Sequence, residues 1–445
     1  MGLGDILNET GNETNLTKVK QEFFKEFDNA EINSSDTEMM ITSSMPKSMT
    51  DSTVSEFDLK VLMNDVLARD SGWECRDKGE KVPGGWILRG RWKTNVTFTK
   101  IDERIKNSNV SSLSICYVVD PKPLTEDEIE LGQVPDGVLY VTQRPEIKAS
   151  WLGSIVTLST FFSLFAYSLG GFALNEAVMA RLELAQKNGG DVSWLLDLAQ
   201  PIFLAILAQQ FAREVSKFVV AKSEDIKLSP PCLVPSFNFG TIGSVVRMKT
   251  PAPNRNALFD LGVVGPSSGL GLSVVMLVLG LVATKTSGVD VSMFPRLPIA
   301  FLQSSALAGG VIDAILGDVV SGPDPSATIA LHPLAVAGFA GIVTSALNFL
   351  PIGSTDGGRV SLAVFGRSGH SVVNGLCLLC LLLAGLGGSD VLLFYGAITA
   401  ISQRELELPC KDEVSEIDAG RVVYIIVMGL LSLMALLPLP ITTPY

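Results

Sequence analysis

Histidine is almost absent from this chain: His332 and His370 are the only two in 445 residues. A zinc centre of the usual kind needs several His or Cys ligands at short spacing, and the six cysteines, Cys75, Cys116, Cys232, Cys377, Cys380 and Cys410, are scattered. The one C-x-x-C pair, Cys377 and Cys380, sits inside the apolar run NGLCLLCLLLAG with no second pair and no nearby histidine. Buried thiols are the simpler reading there, and a redox or metal pair the alternative. Basic residues are also short, 34 Lys and Arg against 46 Asp and Glu, for a net charge of -12. With no basic face to neutralise phosphates, nucleic-acid binding is excluded. Charge of either sign is thin, at 18% of residues against 47% hydrophobic ones, which is too little for an ordinary soluble enzyme of this length.

What charge there is lies mostly at the front. Residues 1–148 hold 18 basic and 26 acidic side chains, and the remaining 297 residues hold 16 and 20. A polar front and an apolar back therefore join near residue 148. Residues 1–55 are rich in Ser, Thr, Asn and Glu without a sustained apolar period, and read as a disordered acidic leader. Residues 56–147 read as a small soluble α+β domain. EFDLKVLMNDVLARD has helical spacing, while GWILRGRWKTNVTFTKI, SSLSICYVVD and DGVLYVTQR alternate between apolar and polar residues, as strands do.

From 148 to 445 the apolar runs are long enough to span a hydrocarbon core of roughly 30 Å. They cover 151–174, 259–283, 328–350, 371–386 with a continuation over 389–402, and 421–438, with interrupted candidates at 193–221 and 298–317. The fold class is thus mainly α, a polytopic helical membrane domain of seven or eight spans behind a small α+β domain. The lipid bilayer is its first partner.

Two polar clusters interrupt these runs: REVSK at 213–217 and NFLPIGSTDGGR at 348–359. Ionisable groups at membrane depth are costly and usually face a bundle interior or water. In the second cluster Asn348, Pro351, Asp356 and Gly357 fill the pattern N-x-x-P-x-x-x-x-D-G. Pro and Gly there break the helix, which places the Asp356 carboxylate either inside the protein or in an interfacial loop, solvated.

IKLSPPCLVPS at 226–236, GTIGSVVRMK at 240–249, the Gly265-Pro266 turn in DLGVVGPSSGLGLSV and HPLAVAGFAGIVTSALNFLPIGSTDGGRVSLAVFGR at 332–367 resemble the site-2 protease family of intramembrane zinc metalloproteases. The likeness is strongest to its chloroplast branch, named for ethylene-dependent gravitropism deficiency and yellow-green leaves, and it runs from about residue 195 to 440. It implies a site-2 protease core in a plastid membrane, thylakoid or envelope. It also implies zinc held by two His of a helical H-E-x-x-H and by the Asp of the N-x-x-P-x-x-x-x-D-G segment, with the Glu as general base.

Counted back from KLSPP, the H-E-x-x-H position is occupied by Arg213, Glu214, Val215, Ser216 and Lys217. Glu214 keeps the general-base position and Asp356 the third ligand position, but cations stand at both histidine positions. Arg never deprotonates in proteins and Lys offers three donors and no lone pair, so neither serves as a zinc ligand. Arg213 or Lys217 then pairs with Asp356 in place of the metal, or both snorkel from a helix end toward water, with Glu214 an i, i+3 partner of Lys217. A third possibility, residual metal binding, would recruit His332 to Glu214 and Asp356, although His332 before Pro333 reads as a helix cap. His370 reads as a loop or interface residue. Gln209 and Gln210 either join a buried network or face a neighbouring helix, and Asn348, Pro351 and Gly357 support the site.

The resulting expectation is a non-proteolytic homologue that binds membrane-protein helices or related proteases, with Glu214 idle and no cofactor. One alternative is an active plastid metalloendopeptidase using Zn2+ through unrecognised ligands. The other is a transporter-like membrane protein, for which no internal repeat is visible.

Overall fold

The computed structural model describes most of residues 42–439; residues 43–44, 52, 68–71, 77, 93–100, 102, 106, 109, 121–136, 145–150, 287–290, 323, 325 and 404–405 are outside the description. The expected leader falls mainly on residues 1–41, also outside it. Residues 45–51, read as part of that leader, carry a turn of helix, α1 (Lys47–Thr50), whose Met49 is buried together with Met45. Those two side chains, four residues apart, give the segment an apolar face to bury.

Helix α2 (Glu56–Val61) is capped by Ser55, whose side chain accepts from the Asp58 N–H, and runs on as a π-turn through Val66. It covers an antiparallel sheet of β1 (Trp73–Cys75), β2 (Glu80–Val82), β3 (Gly85–Trp92), β4 (Leu113–Val119) and β5 (Gly137–Gln143). The order is β1-β3-β5-β4, with β2 also on β3. Alternation along the strands divides the sheet's two faces between two cores. Leu139 and Val141 of β5 and Leu113 and Ile115 of β4 join the sheet's own core under α2. Val138 and Tyr140, with Cys116 and Val118, join the core of the apolar domain. β5 is therefore buried along nearly its whole length rather than in alternation.

Beyond residue 150 come α3 (Trp151–Gly170), α4 (Glu176–Lys187), α5 (Trp194–Ser223), the hairpin β6 (Cys232–Ser236) and β7 (Gly240–Val245), and α6 (Arg255–Thr286). After them come β8 (Arg296–Pro298), α7 (Ile299–Leu302), α8 (Ala306–Leu316), β9 (Thr328–Ala330), α9 (Pro333–Asn348), α10 (Asp356–Leu386), α11 (Asp390–Ser402) and α12 (Ala419–Leu436). Among the described residues five helices, α3, α5, α6, α10 and α12, are long and apolar enough to cross a membrane. The other three expected spans are real but shorter helices, α8, α9 and α11. α9 shows why: every residue from Ala335 to Asn348 is buried, so it is a central helix without a lipid face, apolar all round and only 16 residues long.

α6 lies between α5, α9 and α10. The Gly265-Pro266 pair, read as a turn, lies inside this continuous helix. Its glycine serves close approach instead: a Cβ on Gly265 would sit 2.4 Å from Lys217 Cε. A helix break does occur after Asn348, and residues 349–355 reverse the chain so that α10 begins at Asp356, with the Thr355 hydroxyl capping the Gly358 N–H. α10 itself bends at Gly366, whose φ of 69° is left-handed.

Candidate functional site: a buried charge network between α5 and α10

α5 presents Gln210, Arg213, Glu214 and Lys217 from one face, at the i, i+3, i+4, i+7 spacing of a helical stripe. All four are buried, with Arg213 at 3% and Lys217 at 1% exposure. Snorkelling is thereby ruled out for both cations. Lys217 Nζ lies 2.7 Å from Asp356 Oδ2 and 3.5 Å from Glu214 Oε1. Asp356, 5% exposed, is the first residue of α10, where the positive end of the helix dipole favours a carboxylate. Of the two cations expected to meet Asp356, Lys217 does so and Arg213 does not.

Glu214 Oε1 accepts from Gln210 Nε2 at 3.1 Å and from the Ser244 hydroxyl on β7. Gln210 thus joins the network, while Gln209 donates to the Ala337 carbonyl of α9 at 3.1 Å. Asn348 Nδ2 donates to the Thr344 carbonyl at 2.7 Å and to the Ile242 carbonyl, which pins the β6–β7 hairpin to the end of α9. Pro351 lies in the reversal, and Gly357 allows it: a Cβ there would come within 2.0 Å of the Phe349 carbonyl oxygen.

Three participants escaped the sequence reading. Arg359, fully buried one turn after Asp356, lies 3.6 Å from its carboxylate and 2.6 Å from that of Glu407. Arg359 also donates to the Val246 carbonyl at the end of β7. The i, i+3 spacing of Asp356 and Arg359 was a usable signal, but nothing local marked Glu407 or Ser244. Two nearby backbone hydrogen bonds join the loop after Glu407 to the sheet: the Tyr117 N–H donates to the Lys411 carbonyl and the Glu413 N–H to that of Tyr117. The charges run in alternation from Lys217 through Asp356 and Arg359 to Glu407.

The two histidines lie elsewhere. His332 caps α9, its Nδ1 accepting from the Leu334 N–H at 3.2 Å. It stands a helix length, about 24 Å at 1.5 Å per residue, from Asn348. Recruitment of His332 to the network is therefore ruled out. His370, read as a loop or interface residue, is instead a buried residue within α10, beyond the bend at Gly366.

The donor set does not fit zinc. Its nearest approach to a ligand site places an ammonium against Asp356, and a guanidinium, which has no lone pair, stands four residues earlier. Among the described residues no group of three His, Cys, Asp or Glu side chains could hold a metal ion.

Peptidase family M50 matches residues 201–382. The probable zinc metalloprotease EGY1, chloroplastic, of Oryza sativa subsp. japonica is 29% identical over 404 residues, covering 87% of this chain and 68% of the relative. EGY1 of Arabidopsis thaliana is 31% identical over 243 residues, covering 55% and 43%. The probable zinc metalloprotease EGY2, chloroplastic, of Arabidopsis thaliana is 27% identical over 365 residues, covering 81% and 61%. The chain therefore spans between less than half and about two thirds of the length of these relatives. No solved structure matches it. The M50 match covers REVSK, Asn348 and Asp356, and the relatives named chloroplastic align along most of a chain with five membrane-length helices: this is a multi-pass chloroplast membrane protein of the site-2 protease family, in its EGY branch.

Proposed function

We propose that this chain is a non-proteolytic member of its family, binding membrane-embedded helices or partner proteases on a protease scaffold held together by charge rather than by metal. The observation that carries this reading is the 2.7 Å contact of Lys217 with Asp356. In the family the corresponding Asp binds zinc and the corresponding side chain on α5 is a histidine. Peptide hydrolysis by an H-E-x-x-H centre needs neutral imidazoles to bind the metal and a glutamate free to take a proton from water. Here Lys217 occupies the space beside the carboxylate. Glu214 Oε1 is engaged by Gln210, Ser244 and Lys217, which ties that carboxylate into the charge network. Asn348 holds the β6–β7 hairpin to the end of α9, and Gly357 and Gly358 pack against the backbone of the reversal before α10. A retained scaffold without its ligands suits binding better than cutting.

Zinc analysis of the purified full-length chain tests this. Below about 0.1 zinc per chain is expected, against about one for a single protein site. The competing reading is an active zinc metalloprotease, the activity in the relatives' names. Stoichiometric zinc, together with cleavage of a transmembrane-helix substrate that Glu214→Gln abolishes, would establish it.

A further inference from the structure

The outward apolar stripe of α5 ends in a cation. Phe211, Val215, Phe218 and Val219 are exposed at the i, i+4, i+7, i+8 spacing of one helix face, and Lys222, at i+11, continues that face in the last turn. An apolar face that closes on a lysine marks the depth at which hydrocarbon gives way to headgroups. The Ile226 N–H donates to the Ala221 carbonyl at 2.7 Å, so the chain turns back on this end of the helix as it leaves it.

Beyond that turn, residues 227–229 and 247–249 pair as a short antiparallel ribbon at the base of the β6–β7 hairpin. Leu228 lies opposite Met248, the Lys249 N–H donates to the Lys227 carbonyl at 2.7 Å, and the Ser229 N–H donates to the Arg247 carbonyl at 2.9 Å. Alternation turns Leu228 and Met248 to one face, where Met248 is fully buried, and Lys227, Arg247 and Lys249 to the other. Lys227 and Arg247 are exposed and Lys249 is half-buried. Two lysines thus stand directly opposite each other, which destabilises a strand pair, and neither has a carboxylate partner among the described residues. Glu224 and Asp225, in the turn between Lys222 and Lys227, are the nearest acids in sequence, and the segment keeps four cations to two acids. Just past the ribbon, the Ala252 and Pro253 carbonyls accept from the Lys411 and Asp412 N–H groups, in the loop that also bonds Tyr117. The cations therefore stand at the end of the helical domain that carries the β1–β5 sheet.

We propose that Lys222, Lys227, Arg247 and Lys249 form an interfacial site for an anionic phospholipid headgroup. Charge fixes the sign of the ligand, since all four side chains only donate hydrogen bonds and carry positive charge. Position fixes its source: a lipid can set its phosphate against the ribbon while its acyl chains lie along Phe211, Val215 and Phe218, which a free phosphate ion cannot do. The lipid phosphate also relieves the opposition of Lys227 and Lys249.

The test offers the full chain, in neutral detergent, equal amounts of phosphatidylglycerol and phosphatidylcholine, and reads the bound lipid by native mass spectrometry. Phosphatidylglycerol should be retained in preference, and an excess of inorganic phosphate should not displace it. Lys227→Gln and Lys249→Gln should each lower the ratio of the two lipids about fivefold, the usual worth of one cation near an anionic surface. Lys222→Gln, outside the ribbon, should lower it too, a readout that survives if the ribbon variants fail to fold. Lys187→Gln, exposed on α4 before the start of α5, should leave the ratio unchanged. Equal retention of the two lipids by the wild type overturns the proposal. So does an unchanged ratio in all three lysine variants, or displacement by phosphate, which would make this a site for the free ion.

Discussion

The contact of Lys217 with Asp356 lends itself to direct measurement. At 2.7 Å their attraction is roughly 6 kcal/mol at an effective dielectric of 20, before desolvation is subtracted. Removing one member of a buried pair costs about 3–5 kcal/mol, because the other charge is left in a low-dielectric site. Asp356→Asn should fall near about 3 kcal/mol, the low end of that range, because Lys217 keeps Glu214 at 3.5 Å and Arg359 keeps Glu407 at 2.6 Å. Lys217→Met should cost more, since Glu214 and Asp356 lose their shared cation while Asp356 retains only the 3.6 Å contact with Arg359. The double variant carries neither orphan, so its cost should fall short of the sum by about 2 kcal/mol. Unfolding titrations of the four proteins in mixed micelles give the cycle. Additivity within about 0.5 kcal/mol would refute a direct pair and with it the replacement argument.

Glu407→Gln removes the 2.6 Å partner of a fully buried arginine and should destabilise by about 2–3 kcal/mol in the same titration; a neutral result would mean that Asp356 alone satisfies Arg359. In the β1–β5 sheet, burial pushes the Cys116 thiol up to about 12, with the nearby Glu413 carboxylate adding to the effect. Cys116 should therefore stay unalkylated by iodoacetamide at pH 8 in the folded protein and react once unfolded, as read by mass spectrometry. The sign for stability follows. The unfolded thiol releases its proton near 9.0 and the folded one only near 12, so this group's contribution is intact below pH 9 and declines as pH rises through that interval.

Much of this arrangement was legible in the sequence, for reasons that differ by residue. The helices announced themselves by apolar length, and REVSK by the cost of four polar or charged positions within about eight turns of membrane-depth helix. Asp356 was visible because Pro and Gly around it had to break a helix. The choice of Lys217 over Arg213 was not, since both sit one helical turn apart on the same face and only the position of α10 selects between them. Glu407 lies 48 residues beyond Arg359, next to the charged stretch LPCKDEVSE, and no motif marks it. Ser244 came from a hairpin whose alternation says which side it faces and not what lies opposite. Contacts made through chain reversal leave no local periodicity to read, and His370, in a polar GRSGHS segment that folds as helix, was misplaced for the same reason.

Why positions 213 and 217 carry cations, and not apolar residues, is answered by the charges around them. Among the described residues the network sets Arg213, Lys217 and Arg359 against Glu214, Asp356 and Glu407, all buried. With histidines at 213 and 217 and no zinc, three carboxylates would share the core with one arginine. On the proposed reading a zinc dication would make up that difference, and Lys217 and Arg213 do so in its place. It follows that Arg213→His with Lys217→His should be the reverse of a conservative change. Without zinc it should lose several kcal/mol, more than either single variant, because two carboxylates become uncompensated at once. With zinc it should recover stability in proportion to occupancy, as metal binding and folding are linked. A double variant as stable as the wild type in the presence of chelator would show that the cations do not balance the core. One that is destabilised and takes up no zinc would show that the cleft beside Asp356 has closed around Lys217 and can no longer accept a tetrahedral ion.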